Sequence, residues 1–166
     1  MAGRPIDPGV DIGHVHLKVS DIDRSLEFYC GVLGFELTER LGNEAAFISA
    51  GGYHHHIGLN TWTSAGGKPP SPGTTGLYHF AIRYPSRRAL ADALSRLTEA
   101  GIRLSGASDH GVSEALYLQD PDANGIELYW DRPRERWPRG PDGGVAMFTE
   151  PLDLRDLLAE LEAEPA

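Results

Sequence analysis

Residues 12–19 alternate apolar and polar side chains, with Val15, Leu17 and Val19 on one side and His14, His16 and Lys18 on the other. That period of two predicts a half-buried strand. Asp21 follows as an N-cap for a helix running to about residue 32, with Ile22, Leu26 and Tyr29 as its apolar stripe and Gly34 as its stop. Three short strands are predicted next, near 35–41, 44–49 and 53–60, divided by the turn pairs Gly42-Asn43 and Gly51-Gly52.

Residues 64–76 (SAGGKPPSPGTTG) have no periodicity and read as a linker. The pattern then restarts. A strand over 77–84 leads to a helix capped by Ser86 that runs to about residue 100, with Leu90, Ala93, Leu94 and Leu97 inward and Gly101 at its end. Strands near 102–106, 114–119 and 125–130 complete the second unit. Strand, helix and three strands thus occur twice, over about 12–63 and 77–130. The openings agree residue by residue: His14-Val15-His16-Leu17 against His79-Phe80-Ala81-Ile82. Such a duplication is a fold-level signal. It predicts an α+β fold of two tandem βαβββ modules, a curved mixed sheet around a cavity. Residues 1–130 are expected to form one domain. A C-terminal extension, 131–166, carries a short amphipathic helix near 152–161 that packs on the domain or on a partner.

Composition narrows the partners. A net charge of −9 and a pI of about 5.1 disfavour nucleic acid. The basic stretch 132–139 is interrupted by Pro133 and Pro138 and reads as a solvated loop. No apolar run approaches the roughly 20 residues of a membrane helix, and the opening residues lack a signal-peptide stretch. The single cysteine, Cys30, allows no internal disulfide. These features point to the cytoplasm.

Two of the seven histidines, His14 and His79, hold the same place in the two first strands, on the side away from the helices. Under a pseudo-twofold they face each other across one cavity. Glu127 stands between Ile126 and Leu128, which point the other way, and an unpaired buried carboxylate there would be costly. Taken singly, either histidine is better explained as a half-buried polar side chain; the duplicated placement turns the balance to a metal site. Two imidazoles and a carboxylate suit a divalent transition metal with open positions, Fe(II), Mn(II), Ni(II) or Zn(II).

The segment IGHVHLKVSDIDRSLEFYCGVLGF resembles the opening of the vicinal oxygen chelate superfamily, which includes glyoxalase I, fosfomycin-resistance proteins and extradiol dioxygenases. His110, five further residues, Leu116-Tyr117, Asp120-Pro121 and Glu127 resemble the extradiol ring-cleavage signature, departing from it at Ser108 and Ala123, both turn positions. The resemblance spans 12–130. It implies His14, His79 and Glu127 as iron ligands, Tyr117 as a hydrogen-bond partner of a substrate oxygen, and His110 as a histidine behind the ligands. It also implies a proton-transferring histidine in YHHHIGLN. The family motif assigns that role to His55, with Leu59 at the apolar end. Simple alternation instead puts His54, His56 and Asn60 in the cavity, and a bulge reconciles the two. His16, His56 and Asn60 are the candidate substrate contacts. The implied reaction opens a small aromatic catechol with O₂. A homodimer is expected, because free sheet edges and an apolar tail need cover. The same family offers rivals. A glyoxalase-type isomerase needs a fourth ligand in the first module's last strand, where this chain offers only histidines and Asn60. A thiol transferase shares the triad, and a drug-binding protein needs no metal.

Overall fold

A computed structural model describes residues 3–163; residues 1–2 of the expected arm and 164–166 of the expected extension lie outside the described residues. The first strand, β1 (Val15–Lys18), leads into α1 (Ile22–Leu26), whose Asp21 cap accepts a hydrogen bond from the Arg24 amide at 2.9 Å. The helix continues over Glu27–Val32 with widened, π-type turns, marked by the Leu33 amide donating to the Phe28 carbonyl. Strands β2 (Glu36–Leu41), β3 (Ala45–Ser49) and β4 (Ile57–Asn60) follow, and the order in the sheet is β1-β4-β3-β2.

The second module repeats this with β5 (Phe80–Arg83), α2 (Arg87–Glu99), β6 (Gly106–Asp109), β7 (Ser113–Gln119) and β8 (Gly125–Asp131). Its sheet runs β5-β8-β7-β6-β9, the last strand being the two-residue β9 (Glu150–Pro151). A short 3₁₀ turn and α3 (Leu154–Ala159) complete the C-terminal segment. In both sheets the first strand of the module lies parallel beside the last. The duplicated α+β architecture matches the sequence expectation, with one hydrogen-bonded sheet per module.

The main differences from the sequence reading are two strand boundaries and one additional strand. β4 begins at Ile57, not near 53, because Gly51 and Gly52 take positive φ and the approach is held by side chains. Thr38 Oγ1 donates to the His54 carbonyl at 2.9 Å, and Tyr53 stacks on His54 and His56. β6 is displaced from 102–106 to Gly106–Asp109: Ile102 closes the helix end through its bond to the Leu97 carbonyl, and Ile102 and Leu104 pack on the core. β9 was not expected.

One apolar core joins the modules. It takes Leu17, Ile48, Ile57 and Leu59 from the first, Leu116, Leu118, Ile126 and Leu128 from the second, and Leu90, Leu94 and Leu97 from α2. Truncating Leu97, which is fully buried, to alanine would cost about 2–5 kcal/mol. Polar ties add register between the modules. The buried Tyr29 hydroxyl donates to Asp120 at 3.0 Å, and Asp122 accepts from the Ser20 amide and pairs with Arg24. Burial, then the Asp120 charge, pushes the Tyr29 phenol far above its usual range. Among the described residues no helix is long and apolar enough to cross a membrane.

Candidate metal centre

The register of sheet two places Ala81, Glu127, Tyr117 and Gly106 side by side across β5, β8, β7 and β6. Ile126 and Leu128 alternate into the core, so this row is the open face. His79, one residue before β5, brings Nε2 to 3.1 Å from Glu127 Oε2. The other carboxylate oxygen accepts from the Tyr117 hydroxyl at 3.0 Å, and His110 Nε2 lies 2.7 Å from that hydroxyl. Beyond it, His110 Nδ1 meets the Phe148 carbonyl at 3.0 Å and Thr149 Oγ1 at 3.2 Å. A continuous polar chain therefore runs from His79 to the C-terminal segment, along an open depression of about 520 Å³. Burial, then the Glu127 charge, pushes the Tyr117 phenol up to about 12, so it remains a donor at neutral pH.

Sheet one repeats the row with different side chains: His16 beside Gly58 beside Phe47. The missing side chain at Gly58 is what admits the His16 imidazole, since a Cβ there would sit 2.9 Å from His16 Nδ1. His14, one residue before β1, is exposed and packs against His55 at 4.5 Å between ring centroids. His55 also stacks edge-on against Phe47, and His16 lies against Phe47 and the exposed Trp62. Partial burial, then His14 and the neighbouring histidines, lowers the His55 pKa; partial burial, then His14 alone, lowers that of His16.

The expected residues are thus divided. His79, Glu127, Tyr117 and His110 share one face of the second module. His14, His16 and His55 share the corresponding face of the first. His56 turns away, its Nδ1 within 3.1 Å of Ser49 Oγ, and Asn60 is 7% exposed with its Oδ1 accepting from the Trp62 amide. Among the described residues of one chain, no three His, Cys, Asp or Glu side chains converge to hold an ion. His14 therefore does not join His79 and Glu127 at one ion site within the described chain. Neither alternation nor a bulge orients the three consecutive histidines, since all precede β4. Sequence reading passed over Phe47, Trp62, Gly58 and Thr149. Aligning the two modules strand by strand would have singled out Gly58, as the counterpart of Glu127, and Phe47, as that of Tyr117.

His79 and Glu127 fit a metal ion as they stand. Two donor atoms each about 2.1 Å from an ion, at right angles, are roughly 3 Å apart, close to the observed separation. Paired βαβββ modules are the architecture of the vicinal-oxygen-chelate class. The chain belongs to the Glyoxalase/Bleomycin resistance protein/Dioxygenase superfamily, which it matches over residues 11–128. It is 46% identical over 149 residues to a catechol-2,3-dioxygenase of Bacillus subtilis (strain 168), covering 90% of this chain and 51% of that protein. It is 33% identical over 118 residues to biphenyl-2,3-diol 1,2-dioxygenase 2 of Rhodococcus globerulus, covering 71% and 61%. The chain thus spans between half and two thirds of these relatives. A glyoxalase/dioxygenase structure from Nostoc punctiforme shares the fold, with a TM-score of 0.62 at 20% identity over 80% of this chain and 100% of that one.

Proposed function

We propose that the chain is an extradiol ring-cleavage dioxygenase acting on a catechol-type substrate with O₂, working as a cytoplasmic homodimer. The observation that carries the reading is the His79–Glu127–Tyr117–His110 chain on one open face, together with the names of the relatives above. His79 and Glu127 hold a divalent ion, Fe(II) on this reading, and His14 is the third ligand. Because His14 lies apart from that pair in its own chain, it comes from a second copy, so each copy gives one half of two equivalent sites. When bound, the ion supplies coordination for the two vicinal oxygens of a catechol and a position for O₂.

The remaining chemistry belongs to the side chains. Tyr117 keeps its phenol proton, which it gives to Glu127 in the free site and turns to a substrate oxygen when a catechol lies beside Glu127. His55, packed against His14 and with its Nδ1 engaged by His54 Nδ1 at 2.7 Å, accepts the proton of a catechol hydroxyl at Nε2 and returns it when the ring opens. Phe47, Trp62 and His16 offer flat faces for an aromatic ring and exclude water from it.

One observation weighs against a four-ligand isomerase. The position in β4 that corresponds to Glu127 is Gly58, which has no side chain to ligate, while His56 points to Ser49 and Asn60 caps a turn. Anaerobic loading with Fe(II) followed by a panel of catechols tests the reading. O₂ uptake with a ring-opened, near-ultraviolet- or visible-absorbing product is expected; isomerisation of a methylglyoxal hemithioacetal without O₂ uptake would replace it.

A further inference from the structure

The C-terminal segment lies outside the superfamily match, which ends at residue 128, yet it reaches the polar chain of the second module. Its β9 pairs with β6 at Ser108 and Asp109, next to His110. The Phe148 amide donates to the His110 carbonyl, and the Phe148 ring and Pro138 lie against Gly111. Gly111 takes φ +75°, and a Cβ there would meet the Phe148 ring at 2.5 Å and Pro138 at 2.8 Å, so the glycine is what lets the strap lie flat. An ion network centred on the buried Glu114 secures the same corner. Glu114 joins Arg87 to Arg132; Arg132 holds Asp109, and Arg87 holds Asp156 and Glu160 of the C-terminal helix region.

The strap presents His110 Nδ1 with two groups of opposite character. The Phe148 carbonyl can only accept a hydrogen bond, whereas the Thr149 hydroxyl can donate. On the far side of the ring, Tyr117 has one proton, and it is directed at Glu127. A charged carboxylate can only accept, and its demand for the Tyr117 proton outweighs that of the neutral Phe148 carbonyl for a proton on Nδ1. The phenol oxygen then accepts from His110 Nε2, which puts the single proton of a neutral imidazole on Nε2 and leaves Nδ1 in need of a donor. Thr149 is the donor in reach. Without it, Nδ1 faces only the carbonyl, the proton shifts to Nδ1, and Nε2 competes with Glu127 for the Tyr117 proton.

We propose that Thr149 is a positioning residue that fixes the Nε2–H tautomer of His110 and so keeps the Tyr117 proton directed at Glu127. The tautomer is a property of this chain's own residues; its consequence for turnover rests on the dioxygenase reading above. Nitrogen-15 NMR of the histidine side chains, in metal-free protein at a pH where the ring is neutral, reads the tautomer directly. Wild type and Thr149→Ser should show His110 protonated at Nε2, and Thr149→Val should show it at Nδ1 with the fold intact by circular dichroism. In Fe(II)-loaded protein Thr149→Val should lower kcat about tenfold, the scale of one hydrogen bond, and Thr149→Ser should restore it. A wild type already protonated at Nδ1, or a tautomer unmoved in Thr149→Val, overturns the proposal. A shifted tautomer in a protein without O₂ uptake upholds the positioning role and removes only the dioxygenase reading.

Discussion

The two modules share a strand register but exchange bulk at one pair of positions. Where the second places the small Ala81 beside Glu127, the first places His16 beside Gly58. Where the second has Tyr117, hydrogen-bonded to Glu127, the first has Phe47, stacked with His16 and His55. One duplicated scaffold thus carries a polar, hydrogen-bonded face and an aromatic, histidine-lined face. The first is suited to holding a cation and the second to holding an aromatic ring and moving a proton. Duplication supplied two faces, and divergence at Gly58 and Phe47 kept the first from becoming a second carboxylate site.

The largest effects should come from the cation face. Glu127→Gln and His79→Ala should reduce bound divalent metal from close to one ion per chain to background, whereas His16→Ala should leave it unchanged. Metal analysis of protein purified without chelator decides this, and equal metal content in all the variants would erase the distinction between the faces. Next come the two proton-handling residues, one from each face. His55→Ala should retain metal and lose about 10²–10⁴ in turnover, as expected for a general acid–base group. Tyr117→Phe should lose less, about 1.5–3 kcal/mol of transition-state stabilisation if the substrate oxygen is charged. Steady-state kinetics on metal-matched samples would show the order, and a Tyr117→Phe defect larger than that of His55→Ala would reverse the roles.

The duplicated scaffold and the carboxylate of the cation face were legible in the sequence, whereas Phe47 and Gly58, which set the aromatic face apart, were passed over. The repeat of His14-Val15-His16-Leu17 in His79-Phe80-Ala81-Ile82 announced the modules, and Glu127 between two core residues announced the carboxylate. Three things were not legible, each for a physical reason. The orientation of His54–His56 depends on the Thr38–His54 bond and on Tyr53 stacking, which have no periodic signature. The strap over His110 is held by a two-residue strand and a Gly/Pro-rich run, too short and irregular for a strand pattern. The division of His14 from His79 and Glu127 is a relation between whole sheets, and strand alternation cannot say whether two matching faces meet within a chain or between chains.

A smaller effect concerns the corner that only the second module possesses. Hydrogen bonds from Arg132, opposed by partial burial and aided by the Gly111 amide, hold the Asp109 carboxyl below its ordinary range. A carboxyl whose folded pKa is depressed stabilises the fold fully above the ordinary carboxylate range and ceases to do so as pH falls through the folded value. The acid limb of Tm against pH, below about 4, should therefore be shallower in Asp109→Asn than in wild type. An unchanged slope would show that the Arg132 network does not discriminate this corner from the first module.

The central claim is that a complete site takes His14 from one copy and His79 with Glu127 from another. Mixing separately purified His14→Ala and Glu127→Ala proteins, after dissociation and reassociation, tests it most directly. Each alone should be empty of metal and inactive. Random pairing makes half of the dimers mixed, and each mixed twofold dimer regains one intact site, so about a quarter of wild-type metal and O₂ uptake should return. A mixture as empty and inactive as its components would contradict the account and place all three ligands within one chain.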